Sequence, residues 1–424
     1  MSTSALLALP GRYRAHSVHG LTSVCSAHEL VIEAALLQAA EDGGPALIEA
    51  TCNQVNQDGG YTGNTPAGFR DFVHGIADRV GIPRRQVILG GDHLGPSPWR
   101  HLPATEALTK AEAMVAAYAA AGFEKLHLDC SMGCAGEPAS PGDAVVASRA
   151  ANLAAKAEAV ATASPVYVIG TEVPTPGGAT EALDHLKPTC PADVLATYAV
   201  HEEAFRKVGD GQAWKRVIAI IVQPGVEFGH EDVAVYAPEQ ARALVATLDQ
   251  MPGLVFEAHS TDYQPKAALR QLVQDGFCIL KVGPALTFAL REALYGLDAI
   301  AAVLRPGAVS VPPIMERLMI AQPKDWQSHY PGTAEDQRRL RHYSYSDRIR
   351  YYWPMPEARK AVDGLLAALQ GVRIPGTLIS QHLPRLHERV MTRTIRPEAR
   401  GLLIEAVRDV LRIYSTAGRG IGAL

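Results

Sequence analysis

Residues 86–99 read QVILGGDHLGPSPW. A short apolar run ends on two glycines, an aspartate and a histidine follow at once, and a Gly-Pro pair turns the chain. This pattern predicts a buried strand whose tip carries a carboxylate beside an imidazole. Similar runs recur along the chain: LTSVCSA (21–27), ALIEATC (46–52), KLHLDCS (125–131), VYVIGTE (166–172), VIAIIVQ (217–223), LVFEAHS (254–260) and CILKVGP (278–284). Most are continuous rather than alternating, as expected of parallel strands covered on both faces.

Alanine-rich amphipathic segments separate the runs, including 28–40, 104–122, 142–163, 238–251 and 265–276. Eight strand–helix alternations predict an α/β fold, a (β/α)8 TIM barrel over residues 1–304. A doubly wound open sheet competes, but the runs number eight and no GxGxxG follows the first. Residues 305–424 turn rich in Arg, Tyr and Leu. They predict a C-terminal helical extension packed across the barrel mouth.

Composition is that of a globular protein, with 47% hydrophobic and 20% charged residues. A net charge of −4 gives no reason to expect nucleic acid or an anionic membrane as partner. The N-terminal MSTSALLALPGRYR lacks a basic start and is broken by Pro10, so no signal peptide is read. The cysteines are scattered without a CxxC pair, which fits reduced thiols in the cytoplasm. The closing GRGIG is read as a disordered tail.

In a barrel the active site sits at the C-terminal strand ends. The second run is followed by Asn53 and Gln54, the third by Asp92 and His93, and the fourth by Asp129 and Ser131. Glu172 ends the fifth run and Gln223 the sixth; the seventh holds Glu257 and His259, and the eighth Lys281. Imidazoles with carboxylate or amide oxygens suit a divalent ion such as zinc or manganese, and a neighbouring acid can move protons. Each residue has a plainer reading. Asp92–His93 also fits a hydrogen-bonded pair, and Glu257 a structural residue of the interior. Lys281 fits a Schiff-base nucleophile, an anion ligand or an ion pair. In HYSYSDRIRYYW (342–353), Ser346, Arg348 and Arg350 fit a sugar phosphate, or a tyrosine-rich helix with snorkelling arginines.

The stretches HGLTSVCSAH, LIEATCNQVNQDGGYTG, LGGDHLGP, HLDCSMG, GTEVPTPGGA, VQPGVEFG, EAHSTDYQ, LKVGPALTFALREAL and YSYSDRIRYYWP together resemble the GatZ/KbaZ family. The resemblance covers residues 16–355. It implies one of two roles. One is a non-catalytic subunit beside a catalytic class II tagatose-1,6-bisphosphate aldolase chain. The other, which the ring of polar strand ends favours, is a D-tagatose 6-phosphate 4-epimerase, expected to be metal-dependent and to act by retro-aldol cleavage at C3–C4. A stand-alone aldolase or a sugar-phosphate kinase is a third reading, and no GxxxxGK[ST] loop supports the kinase. The pattern is also similar to class II aldolases, which implies His93 and His259 as metal ligands and Asp92 as an acid/base residue. Asp129 and Glu257 are further acid/base candidates. Near the sixth strand, where those aldolases supply another histidine, Gln223 and Pro224 stand instead. Glu172 is therefore expected to complete the metal site, with Gln223 as alternative. Asn53, Gln54, Ser131, Gln223, Lys281, Ser346, Arg348 and Arg350 are expected on substrate hydroxyls or phosphate. A sugar phosphate is the expected small-molecule partner, and a homo-oligomer the expected state.

Overall fold

The computed structural model describes residues 3–17, 19–171, 183 and 186–419. Eight parallel strands close into a barrel: β1 (Leu21–Cys25), β2 (Ala46–Thr51), β3 (Val87–Leu94), β4 (Lys125–Leu128), β5 (Val166–Ile169), β6 (Val217–Ile221), β7 (Val255–Ala258) and β8 (Phe277–Val282). Each pairs with its sequence neighbours, and β8 closes on β1 through Leu21 opposite Ile279. All eight coincide with the predicted runs to within a few residues. Helices between them, such as Glu29–Asp42, Ala104–Ala120 and Asp143–Glu158, form the outer layer. No helix among the described residues is long and apolar enough to cross a membrane.

The barrel interior is built in layers, because alternate residues of each strand point inward. The lowest layer is apolar. Leu47, Ile88, Val166, Val168, Ala219, Ile221, Val255 and Ile279 cluster there. Two short helices, Thr3–Leu7 and Leu9–Arg14, close that end by burying Leu6 and Leu9. This is what the N-terminal apolar patch does.

The middle layer is charged. The Lys125 ammonium stands 2.7 Å from Glu49 and 2.9 Å from Glu257, all fully buried. Burial lowers Lys125, but the two carboxylates outweigh it and hold it above its ordinary range. Gly90 makes this layer fit, since a Cβ there would lie 2.5 Å from Glu49 Oε1. Gly90→Ala is expected to destabilise the protein by about 1–3 kcal/mol, the usual cost of overpacking, read as a lower urea midpoint.

The extension runs through helices Val311–Ala321, Ala334–Tyr343, Pro356–Ala368, Gly376–His382, Pro384–Met391 and Ala399–Gly418. Its placement differs from expectation. The last helix packs on the outer wall, against helices Glu29–Asp42, Lys266–Gln274 and Pro284–Leu304. It is amphipathic and finds its apolar partners there. What reaches the mouth is the turn after Tyr343. The Tyr345 N–H donates to the His230 carbonyl at 2.8 Å, and the Tyr263 hydroxyl to the Tyr345 carbonyl at 2.7 Å. The GRGIG tail beyond Arg419 lies outside the described residues.

Candidate active site

The third layer forms the barrel mouth. Consecutive residues of a strand normally face opposite sides, yet Asp92 and His93 both enter the interior. The backbone explains this. His93 has φ +50°, in the left-handed region, and the β3–β4 register shifts between Gly91 and Leu94. A non-glycine residue held there carries a conformational cost, a feature that clusters at functional sites. Ser260, just after β7, has φ +53°.

Three imidazoles meet at this level: His93 from β3, His127 from β4 and His259 after β7. Their ring centroids lie 5.0–5.3 Å apart. Each is held by a carboxylate through one nitrogen. His93 Nδ1 lies 2.8 Å from Asp129 Oδ2, His127 Nδ1 2.8 Å from Asp92 Oδ1, and His259 Nε2 3.1 Å from Glu257 Oε1. The opposite nitrogens of His127 and His259 are buried with no hydrogen-bond partner. A buried polar atom without a partner is costly. Imidazoles backed by carboxylates with their other nitrogen free are what a metal site needs. Asp92, His127 and His259 present ligand atoms within 4.8 Å of one another, as do His93, His127 and Asp129. The residues therefore fit a metal ion. His259 also has the right protonation state, since burial and the Lys281 ammonium hold it neutral, well below its ordinary range.

Charge organises the rest. Burial raises the Asp92 carboxyl, but His93, Lys281 and the His127 hydrogen bond together hold it well below the ordinary range. Lys281 Nζ is ion-paired with Asp92 Oδ2. Burial lowers the ammonium and Asp92 more than restores it, so Lys281 is a protonated cation here, not a free amine. Asp129 is likewise raised by burial and lowered further by His93 and Ser131, ending below its ordinary range. The Ser131 hydroxyl and N–H donate to Asp129 Oδ1 at 2.6 and 3.1 Å, so this serine fixes the aspartate. Asp129→Asn is expected to weaken divalent-metal binding about 10- to 100-fold, as loss of a carboxylate behind a metal-binding histidine does. Titration against a chromogenic chelator measures this without an activity assay.

A cavity of about 80 Å³ opens above the cluster, bordered by Asn53, Gln54, His93, His259, Lys281 and Arg350 among others. These six were predicted at the site, and the structure brings them together. Asp92 and Asp129 lie directly behind them, and Glu257 lies one layer deeper, between Lys125 and His259. Others are elsewhere. Gln223 Oε1 accepts the Gly225 and Val226 N–H groups at 2.8 and 2.9 Å and so closes the turn after β6. Ser346 and Arg348 face into the extension, where Ser346 bonds the Tyr330 hydroxyl and Arg348 the Asp325 carbonyl. Both are hydrogen-bonded there, and neither borders the mouth cavity. Glu172 and the PTPGG after it lie outside the described residues.

His127 is the residue that sequence reasoning missed. Its signal was alternation: Lys125 and His127 on β4 and Asp129 just after it share one parity. Asp262 also borders the cavity. Burial pushes its carboxyl up to about 6, while Oδ1 accepts the Gly283 and Ala285 N–H groups at the start of helix Pro284–Leu304.

Known proteins share this chain over nearly its full length. A D-tagatose 6-phosphate 4-epimerase of Agrobacterium fabrum (strain C58 / ATCC 33970) is 52% identical over 422 residues, 98% of each chain. The crystal structure of a probable tagatose 6 phosphate kinase from Sinorhizobium meliloti 1021 superposes with a TM-score of 0.89 at 56% identity, covering 94% of this chain and 100% of that one. The family model described as "D-tagatose-1,6-bisphosphate aldolase subunit GatZ/KbaZ-like" matches residues 6–419, and the chain belongs to that GatZ/KbaZ-like family.

Proposed function

We propose that this chain is a metal-dependent D-tagatose 6-phosphate 4-epimerase, interconverting that ketose with D-fructose 6-phosphate in the cytoplasm. The identity of 52% across 98% of a relative bearing that name carries the reading. Chemistry narrows the route. C4 lies β to the ketose carbonyl, so its proton is not acidic and deprotonation does not invert it. Transient oxidation by a nicotinamide, or opening and re-closing of the C3–C4 bond, remain. The cluster of carboxylate-backed imidazoles favours the second.

A divalent ion held by His127 and its neighbours in this cluster would supply Lewis-acid polarisation of the ketose oxygens. The protein's own groups do the rest. Asp92, kept ionised by His93, Lys281 and the His127 hydrogen bond, takes the C4 hydroxyl proton and returns it after the bond re-forms. Lys281 offers its ammonium to a substrate oxygen. Asp129 holds the His93 ring through Nδ1, and Glu257 holds the His259 ring through Nε2. Asn53 and Gln54 hold hydroxyls at the rim.

A second reading rests on the family's own description as an aldolase subunit: the chain supports a separate catalytic aldolase and turns over nothing alone. One assay separates the two. The purified chain is incubated with D-tagatose 6-phosphate and zinc or manganese, and D-fructose 6-phosphate is followed by coupled reduction of NADP. The epimerase reading expects turnover that a chelator and Asp92→Asn both abolish. Silence with every divalent metal, together with stimulation of an added class II aldolase, would replace it with the subunit reading.

A further inference from the structure

Beside the mouth lies a second, larger cavity of about 400 Å³, between the start of helix Glu29–Asp42 and helix Pro356–Ala368. The two cavities share Cys25, Gln54, Tyr61, Gly283 and Arg350 in their walls, so they adjoin. Tyr61, edge-on to Tyr351 with centroids 4.9 Å apart, stands at the junction. The sizes matter. Cavities that hold small ligands run from about 300 to 1,000 Å³. The mouth, at about 80 Å³, is below that range, and the side chamber, at about 400 Å³, is within it.

The chamber's charge has one sign to spare. Arg400 is neutralised by Glu33 and Glu29 by Arg79. Arg350 and Arg359 have no carboxylate within 4.0 Å among the described residues, against the single exposed Asp363 on the same wall. Arg350 is anchored, donating to the Ser346 and Asp347 carbonyls, while Arg359 is exposed at the rim. A buried guanidinium and an exposed one, neither paired with a carboxylate, suit a phosphate dianion.

We infer that the side chamber holds the phosphate-bearing three-carbon half of the substrate and is the space in which that fragment turns over. The inference rests on the epimerase reading. Cleavage takes the proton from the C4 hydroxyl, breaks C3–C4 and leaves the electron pair on the C1–C3 fragment. The C4–C6 fragment is then an aldehyde phosphate. Inversion requires it to present its other carbonyl face before C3–C4 re-forms and the proton returns. Nothing is oxidised or consumed. The fragment must rotate without escaping, so it needs room around the aldehyde and a tether on the phosphate. The mouth offers too little room, and the chamber offers both.

The test uses the metal-loaded full chain with two variants away from the mouth. Val362→Trp fills the chamber and Arg359→Ala removes its rim cation. Epimerisation is followed alongside escape of the aldehyde phosphate, trapped by a glyceraldehyde 3-phosphate dehydrogenase with NAD. Wild type is expected to epimerise with little escape. Val362→Trp is expected to slow epimerisation by at least about tenfold through mispositioning and to raise escape per turnover. Arg359→Ala is expected to raise KM about tenfold for the phosphorylated ketose but not for D-tagatose. Variants matching wild type in both rate and escape overturn the chamber and leave the epimerase standing. Calorimetric titration with glycerol 3-phosphate separates the remaining case. Binding that Arg359→Ala and Val362→Trp weaken, in a chain without epimerase activity, keeps the chamber as an anion site and sinks the epimerase. No difference between wild type and variants in that titration overturns the chamber.

Discussion

Replacing His127 with alanine is expected to remove bound divalent metal and turnover together. The loss in metal affinity should exceed the roughly 100-fold that changes behind a metal-binding histidine reach. The reasoning starts from the unused nitrogen. His127 is fully buried, Asp92 holds its Nδ1, and Nε2 has no partner. Such an atom is tolerated where something binds it. His93 and His259 complete a triangle with it, ring centroids 5.0–5.3 Å apart. His259 likewise has its other nitrogen, Nδ1, buried without a hydrogen-bond partner. Removing this ring breaks both ligand sets that contain it and deprives Asp92 of the bond that helps hold it ionised. Metal content by mass spectrometry and the coupled assay report the two losses. Circular dichroism separates both from unfolding. A His127→Ala chain that keeps its metal and its rate would place the site elsewhere among these histidines.

Much of the barrel was legible because both faces of a parallel strand are covered. Val217–Ile221 and Val166–Ile169 announce themselves as unbroken apolar runs. The mouth was legible where polar residues close a run, as at Asp92, His93 and His259, and where a lone charge breaks one, as at Lys281. It was illegible at His127, which sits within a run beside other polar residues. KLHLDCS shows why. Read for hydrophobicity it is a strand interrupted by polar residues. Read by parity, Lys125, His127 and Asp129 form one inward column through all the polar layers of the barrel. The turn at 344–351 failed for another reason. Asp347 lies at φ +46° and reverses the chain, so Ser346 and Arg348 point into the extension while Arg350 points at the mouth. Local composition carries no information about that reversal. The N-terminal patch was read only for export signals, although Leu6 and Leu9 had the apolar character of a barrel plug.

Lys125→Met should be the most destabilising single substitution in the interior, at about 3–5 kcal/mol, the cost of leaving buried charges without their partner. Methionine fills nearly the same space, so the effect is electrostatic. Glu49 and Glu257 would face each other across a dry barrel with no cation between them. Burial already pushes Glu49 above its ordinary range with Lys125 present. Without the ammonium that displacement grows, which fixes the sign of the pH dependence. A carboxyl whose folded pKa is raised contributes stability that is complete below its unfolded value, about 4.3 for glutamate. That stability is lost as pH rises through the folded value. The deficit of Lys125→Met relative to wild type should therefore be small near pH 4 and full at pH 8. Adding Glu49→Gln and Glu257→Gln should recover most of it at pH 8, since neutral amides bear burial more cheaply than unpaired charges. Because Glu257 holds His259 Nε2, the same triple variant should fold yet bind metal more weakly than wild type. Urea unfolding across that pH range, with chelator competition on the refolded triple variant, checks both. A deficit that is flat with pH would mean Lys125 acts by packing, and full metal affinity in the triple variant would mean Glu257 does not orient His259.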